Sequence, residues 1–195
     1  MQSGLVAKGI FNDPSFDPNS VQVILTFATP HSRPVIVFDE YSFHYYKTTS
    51  KTWRAGRENR LAHISLTSVG GSHMDYLVQS DSVASWEIDV HTVVSYIFQT
   101  VRMSLIVVPT GTFTSFSFQT TTIPTVWRSV DHLAILWCKE LVLVTARILF
   151  DMVDLETKQI TSDRNLRNAI LSYHLLHVNF LNFHLNGRGV KDYVS

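Results

Sequence analysis

The sequence has little charge and no excess of either sign. Lysine, arginine, aspartate and glutamate together make up 16% of the residues, and the 16 basic residues balance the 16 acidic ones. Because no basic run is present that could neutralise phosphates, we expect no nucleic acid partner. The hydrophobic share of 45% is large enough for a buried core and excludes a disordered chain.

Cysteine and long apolar segments are also scarce. Cys138 is the single cysteine, so neither a disulfide framework nor a site of several thiolates can form within the chain. The most apolar stretch, residues 133–155, is interrupted by five charged side chains, which argues against a transmembrane helix. The first residues lack a basic start followed by an apolar run, so we expect no signal peptide.

Strand-like and helix-like runs alternate along the chain, which predicts an α/β layer architecture. The β-branched, almost continuously apolar run 21–28 is typical of a parallel strand buried on both faces. A second strand is predicted over residues 62–69, closed by Gly70 and Gly71, and residues 87–94 are a candidate third strand. Helices are predicted over residues 4–11, 40–60, 133–154 and 164–177.

The tract over residues 95–119 does not fit this alternation. It begins with an oily run and ends in a stretch of threonine, serine and phenylalanine without helical period. We interpret it as an insertion with two explanations, an intron translated in frame, which we favour, or a lid-like element that touches lipid. The predicted domain then covers residues 1–177, and residues 178–195 form a tail.

Two loops that follow predicted strands carry the residue types of a hydrolase site. Asp75 comes after the Gly70–Gly71 turn, whose glycines permit a sharp bend, and His132 stands just before a predicted helix. In an α/β hydrolase the acid precedes the histidine, each on a loop at the carboxyl end of a strand. Asp75 would fix the imidazole tautomer, and His132 would act as general base and then acid. Asp131 is the competing acid, and ordinary turn chemistry for Asp75 or packing for His132 are the simpler alternatives.

Other aromatic and histidine residues have simpler interpretations. Trp127 and Trp137 flank His132 and could line an acyl channel or touch a membrane interface, but we expect them in the core, where such residues are more common. His31 is interpreted as a turn-stabilising residue. Three further histidines cluster late in the chain: His174, His177 and His184. They lack carboxylates at ligand spacing, so we expect a solvated helix face and no metal site.

Three stretches carry a resemblance to a known family. Residues 24–31, ILTFATPH, look like the segment after the nucleophile strand in lipases. Residues 65–78, SLTSVGGSHMDYLV, resemble the acid-bearing loop of GPI inositol-deacylases. Residues 123–143, IPTVWRSVDHLAILWCKELVL, resemble that family's histidine loop and following helix. The likeness covers residues 3–95 and 120–177.

The resemblance implies a partial α/β-hydrolase fold, a mostly parallel sheet with flanking helices that lacks the N-terminal strands and the nucleophile elbow. It also implies a serine acyl-ester hydrolase of the endoplasmic reticulum membrane. That family removes the fatty acyl chain from the inositol of GPI-anchored proteins, which assists their export. By position, His132 would be the catalytic histidine and Asp75 the catalytic acid.

The same resemblance gives this chain no nucleophile. It places Met1 where the serine should stand and Ser3 two positions too late. We therefore expect the C-terminal half of a hydrolase domain, truncated and inactive by itself, without cofactor or metal. Its expected partners are acylated GPI-anchored proteins and the endoplasmic reticulum membrane, with the family's transmembrane parts absent here. The alternative is a non-catalytic fragment that binds lipid or a protein partner.

Overall fold

A parallel sheet of three strands lies at the centre of the described structure. The structure is a computed structural model that describes residues 15–31, 40–57, 59–78 and 115–177. The strands are β1 (Val23–Phe27), β2 (Ser65–Gly70) and β3 (Ser115–Gln119), and they lie in the order β1-β2-β3. All pairs are parallel, so the three carboxyl ends meet at one edge of the sheet. This confirms the predicted α/β class with a parallel sheet.

Within the residues that the structure describes, three α-helices accompany the sheet. They are α1 (Glu40–Arg57), α2 (Lys139–Met152) and α3 (Arg164–Leu176). Three short 3₁₀ helices span Pro18–Ser20, Ser72–Met74 and Ala134–Trp137. The helices predicted over residues 40–60 and 164–177 are thereby confirmed within a few residues.

The side chains of β1 alternate between two hydrophobic clusters. Val23, Leu25 and Phe27 pack against the larger cluster, which contains buried residues of α2 and α3. Ile24 packs against the smaller cluster around Trp53 of α1. Helices therefore cover both faces of the sheet. The strand was expected to be buried on both faces, but four of its five residues are only half-buried because β1 is an edge strand of the described sheet.

The third strand lies where the sequence analysis placed an insertion. Phe116 and Phe118 of β3 are buried, and serines alternate with them, which is the two-residue period of a strand. Residues 115–119 of the predicted insertion are thus part of the sheet, because burying both rings in the core requires this register. Residues 95–114, the predicted strand 87–94, the predicted helix 4–11 and the tail lie outside the described residues. The predicted domain limits stay a prediction.

The helix predicted over residues 133–154 is shorter than expected. It is divided into the 3₁₀ helix Ala134–Trp137 and α2, because the backbone of Cys138 is extended, with φ −65° and ψ 104°. The apolar period continues across this break, so periodicity alone did not show it. Beyond the break, α2 buries residues at three- and four-residue spacing: Leu141, Val144, Ile148 and Met152.

A buried arginine fixes α3 to the amino ends of two strands. The guanidinium of Arg167 donates to Gln22 Oε1 at 3.1 Å, to the carbonyl oxygens of Thr161 and His63, and to Ser65 Oγ at 3.4 Å. Burial lowers the pKa of Arg167. All these acceptors are neutral, and they lie at the opposite end of the sheet from the carboxyl-end loops. The hydrogen bonds of Arg167 therefore occupy the amino end of the sheet and stabilise the fold there.

Candidate catalytic site

The loop after β2, residues 71–78, is called here the acid loop. It begins with Gly71, where an added Cβ would lie 2.2 Å from the carbonyl oxygen of Val130 and 2.9 Å from Cβ of Asp75. No side chain fits at that distance, so the glycine permits a close approach between this loop and the chain around residue 130. The 3₁₀ helix Ser72–Met74 then leads directly to Asp75.

Asp75 is fully buried, with 0% of its surface exposed. Its Oδ1 accepts hydrogen bonds from the backbone N–H groups of Leu77 and Val78, both at 3.1 Å. These two bonds are ordinary aspartate turn chemistry, and they fix the orientation of the carboxylate. The second oxygen, Oδ2, is left to face the loop that carries His132.

The loop after β3, residues 120–132, is called here the histidine loop. Two of its residues have left-handed backbone, Thr125 with φ 70° and Trp127 with φ 42°. Both residue types are disfavoured there, so contacts with the rest of the structure must hold the loop. One such contact is the hydrogen bond from Val130 N to Gly71 O at 2.8 Å.

The two predicted site residues lie side by side. Nδ1 of His132 is 3.4 Å from Oδ2 of Asp75, and the histidine side chain is 28% exposed. They follow neighbouring parallel strands, so the sheet itself brings their loops to one edge. With Nδ1 directed at the acid, Nε2 is the nitrogen that can exchange a proton with a reacting group. The catalytic roles of both residues stay predictions.

The competing carboxylate has a different role. Oδ1 of Asp131 accepts hydrogen bonds from the backbone N–H groups of Leu133 and Ala134, both at 2.9 Å. Asp131 therefore caps the 3₁₀ turn that follows, and it is exposed. The position expected for the nucleophile, at Met1 or Ser3, lies outside the described residues. Within the described residues, the hydrogen bond of the His132 side chain is the one to Asp75.

The expectation that two tryptophans near the site are core residues is wrong. Trp127 is 68% exposed and Trp137 is 83% exposed. The 3₁₀ helix that ends at Trp137 buries only Ile135, and the left-handed turn at Trp127 lies in the histidine loop. Leu133 and Leu136 are exposed as well, and the four exposed apolar residues of the chain that flanks His132 are called here the tryptophan surface.

Two other histidines differ from their sequence interpretation. Nε2 of His174 on α3 lies 2.6 Å from Oδ2 of Asp151 on α2, so it is no part of a solvated face. His31 is buried, and its Nε2 lies 3.0 Å from Thr26 Oγ1 and 3.2 Å from Ser68 Oγ. Burial lowers the pKa of His31 to about 4, so the ring is neutral at physiological pH. His31 thus joins β1 to β2, a role no local sequence signal indicated.

His177 is exposed and ends α3 with left-handed backbone, φ 51°, whereas His184 lies outside the described residues. The described residues contain no group of three histidine, cysteine or carboxylate side chains placed to share a metal ion. Among the same residues, no helix combines the length and hydropathy needed to cross a membrane.

The fold and the acid–histidine pair define an α/β domain whose acid and histidine follow in the chain order of α/β hydrolases. The profile of the family described as PGAP1-like alpha/beta domain matches residues 2–152. This match covers most of the chain, and the chain belongs to that family.

Curated relatives support the same assignment. A GPI inositol-deacylase of Xenopus laevis is 35% identical over 175 residues, which is 89% of this chain and 16% of the relative. One from Coccidioides immitis is 34% identical over 173 residues, 86% of this chain and 13% of the relative. One from Rattus norvegicus is 31% identical over 175 residues, 89% of this chain and 16% of the relative. The chain thus spans 13–16% of the length of these relatives.

Proposed function

We propose that this domain supplies the acid and the general base of a GPI inositol-deacylase, a serine hydrolase that cleaves the acyl ester on the inositol of GPI-anchored proteins. The observation that carries the proposal is the distance of 3.4 Å between His132 Nδ1 and Asp75 Oδ2, at the carboxyl ends of adjacent strands. The name of the relatives supplies the substrate class. The full activity, the location at the endoplasmic reticulum membrane and the role in export are parts of this proposal.

The chemistry follows from the orientation of the imidazole. Asp75 accepts a hydrogen bond from the Nδ1–H group of His132, which keeps the proton on Nδ1 and leaves Nε2 unprotonated. Nε2 takes the proton of an attacking serine hydroxyl as its oxygen bonds to the ester carbonyl carbon. The resulting imidazolium is stabilised by the Asp75 carboxylate, and it gives the proton to the inositol oxygen as the carbon–oxygen bond breaks. Water then releases the fatty acid in the same two steps. The proposal assigns neither the serine nor the oxyanion donors to this chain.

A chimera tests this assignment. The matched 175-residue segment of the Xenopus laevis relative is replaced by the corresponding part of this chain, in cells that lack inositol deacylation. Mass spectrometry of a GPI-anchored protein then reports whether the inositol carries an acyl group. We expect the chimera to remove it, and we expect Asp75→Asn to slow removal by about 10⁴-fold, because the wrong tautomer then dominates.

The matched control is Asp131→Asn, which changes the neighbouring carboxylate that caps a turn. It should retain activity within about threefold, since the side-chain oxygen of asparagine accepts the same backbone hydrogen bonds and caps a turn about as well as aspartate. A folded chimera that leaves the acyl group in place contradicts the proposal. So does an Asp131→Asn variant that is as slow as Asp75→Asn.

The tryptophan surface favours a second candidate function, binding of lipid by a chain that hydrolyses nothing by itself. Exposed tryptophan and leucine side chains are typical of surfaces that meet a membrane interface. The 195-residue chain would then bind neutral phosphatidylcholine vesicles in a flotation assay. Replacing Trp127 and Trp137 by serine would abolish binding, whereas Asp75→Asn would not change it. Equal binding by all three proteins would exclude this candidate.

A further inference from the structure

The side chain of Ser129 joins the two loops that carry the candidate pair beside Asp75. Ser129 Oγ accepts a hydrogen bond from Met74 N at 2.8 Å and donates one to Gly71 O at 3.0 Å. Ser129 lies in the histidine loop, and both of its partners lie in the acid loop. The hydroxyl therefore connects the loops in both hydrogen-bonding directions, as acceptor and as donor.

These bonds lie close to Asp75 and His132 along the chain, so they directly affect the distance between the two residues. Met74 immediately precedes Asp75, and Ser129 lies three residues before His132. The contact between Asp75 and His132 is long, at 3.4 Å, and therefore weak by itself. The separation of the two side chains must be set by the backbone of their loops. Among the described residues, Ser129 makes the side-chain hydrogen bond between the loops that lies nearest to Asp75 along the chain.

The histidine loop needs such a restraint. The left-handed backbone at Thr125 and Trp127 is disfavoured at both positions, so the loop would relax without contacts that oppose it. Val130 N and Thr120 Oγ1 also bond to Gly71 O, at 2.8 and 3.1 Å. These two bonds also join the loops, as does the contact of Thr121 Oγ1 with Ser72 Oγ at 3.3 Å, but none of them reaches the backbone beside Asp75.

We infer that Ser129 is a positioning residue whose hydroxyl holds the acid loop against the histidine loop, so that Asp75 fixes the tautomer of His132. This inference rests on the proposed function, because the tautomer matters only if the pair acts as acid and base. Ser129 itself touches no reacting atom. Its effect passes through Met74 N and Gly71 O to the carboxylate.

The test is the tautomer of His132 in the 195-residue chain, read from the ¹⁵N chemical shifts of its imidazole at a pH where the ring is neutral. In the wild type we expect mostly the form protonated at Nδ1, as the Asp75 contact requires. Ser129→Ala should reduce that population by about twofold or more. Ser129→Thr keeps the hydroxyl and should restore it. The matched control is Ser162→Ala, at an exposed serine between α2 and α3.

An unchanged tautomer in Ser129→Ala overturns the inference. Loss of the folded amide spectrum in that variant also overturns it, because the hydroxyl would then hold the fold rather than the pair. In the chimera, Ser129→Ala should lower kcat about tenfold with KM unchanged, as expected when a catalytic group is displaced. The tautomer measurement needs no hydrolysis. An inactive wild-type chimera therefore refutes the proposed function, whereas a failed tautomer shift refutes only the role of Ser129.

Discussion

Two aspartate–histidine pairs of this molecule share their residue types and differ in their surroundings. In the first pair Asp75 is fully buried, His132 is 28% exposed, and Nδ1 of the histidine lies 3.4 Å from the acid. In the second pair Asp151 is 26% exposed, His174 is 13% exposed, and Nε2 of the histidine lies 2.6 Å from the acid. In the first pair the aspartate is more buried than the histidine, whereas in the second pair the histidine is more buried than the aspartate.

This difference separates a candidate catalytic pair from a structural one. A general base must reach a proton on another group, so its second nitrogen has to be accessible. In the first pair the acid is fixed by two backbone N–H groups, and the histidine lies on the more exposed side. In the second pair the histidine is enclosed where α2 and α3 meet. The shorter contact is therefore the less suitable one for a general base, and distance alone would not have selected the candidate pair of the proposed function.

The largest expected effect compares the two histidines. In the chimera, His132→Ala should reduce removal of the acyl chain by about 10⁴-fold or more, because it deletes the proton acceptor. His174→Ala should leave the rate within about threefold, since it changes a contact between helices. Acyl-group analysis by mass spectrometry measures both. Similar losses in the two variants would break the distinction between the pairs.

The next effect concerns the close approach of the acid loop to the histidine loop at Gly71, on which only the first pair depends. Gly71→Ala should lower the free energy of unfolding by about 3 kcal/mol, because the new Cβ meets backbone at 2.2 Å. The control is Gly56→Ala in α1, where the new Cβ meets Cδ1 of Leu61 at 2.6 Å, the end of a flexible side chain. Urea denaturation of the 195-residue chain measures both changes. A larger loss for Gly56→Ala would contradict the close approach of the loops.

A third histidine, His31, extends the comparison to the dependence of stability on pH. Burial lowers the pKa of His31 from 6.5 to about 4. Between these two pH values the ring is therefore protonated in the unfolded chain and neutral in the folded chain. Its contribution to stability is therefore fully present above pH 6.5, falls as the pH drops towards 4 and is lost below that. The fall amounts to about 3 kcal/mol.

Urea denaturation between pH 7 and 4 tests this expectation. His31→Gln should show a shallower decline than the wild type, because the side chain no longer titrates. The exposed His177→Gln is the control and should follow the wild type. If His31→Gln also keeps the wild-type slope, burial does not exclude the proton from this ring.

The smallest effect is expected for the acid of the second pair. Asp151→Asn should lower the free energy of unfolding by about 1 kcal/mol, as is typical of one side-chain hydrogen bond. It should leave the activity of the chimera unchanged, unlike Asp75→Asn. The exposed Glu156→Gln, in the turn after α2, is the control for loss of a negative charge. An activity loss for Asp151→Asn as large as that for Asp75→Asn would show that both pairs serve one site.

The elements that short-range signals specify agreed with the sequence predictions. The helix predicted over residues 164–177 is α3, because Asp163 caps its first turn and apolar residues recur at helical spacing. The strand before Gly70 and the parallel class of the sheet were also predicted. The alternation of phenylalanine and serine in β3 was present in the sequence. This alternation alone did not predict a strand, because the tract before it fits neither a helix nor a strand.

Other features have no local signal. The extended backbone at Cys138 interrupts an unbroken apolar period, and the exposure of Trp127 and Trp137 depends on how their loops leave the sheet. Local rules also describe the turn at Asp75 correctly, because its Oδ1 does bond to the following N–H groups. Local rules do not predict which residue the other carboxylate oxygen of Asp75, Oδ2, faces.

The sequence by itself determined the α/β class, the approximate limits of α1 and α3 and the two residue types of the candidate site, since periodicity, capping and turn chemistry act over a few residues. Only the tertiary structure decided that Asp75 lies beside His132, 57 residues further along the chain, and that Asp151 lies beside His174. The contact of Asp75 with His132 depends on strand register and on the approach of the loops at Gly71 and Ser129. The contact of Asp151 with His174 depends on how α2 and α3 lie together. Such distances are set by packing between segments, which no short stretch of sequence specifies.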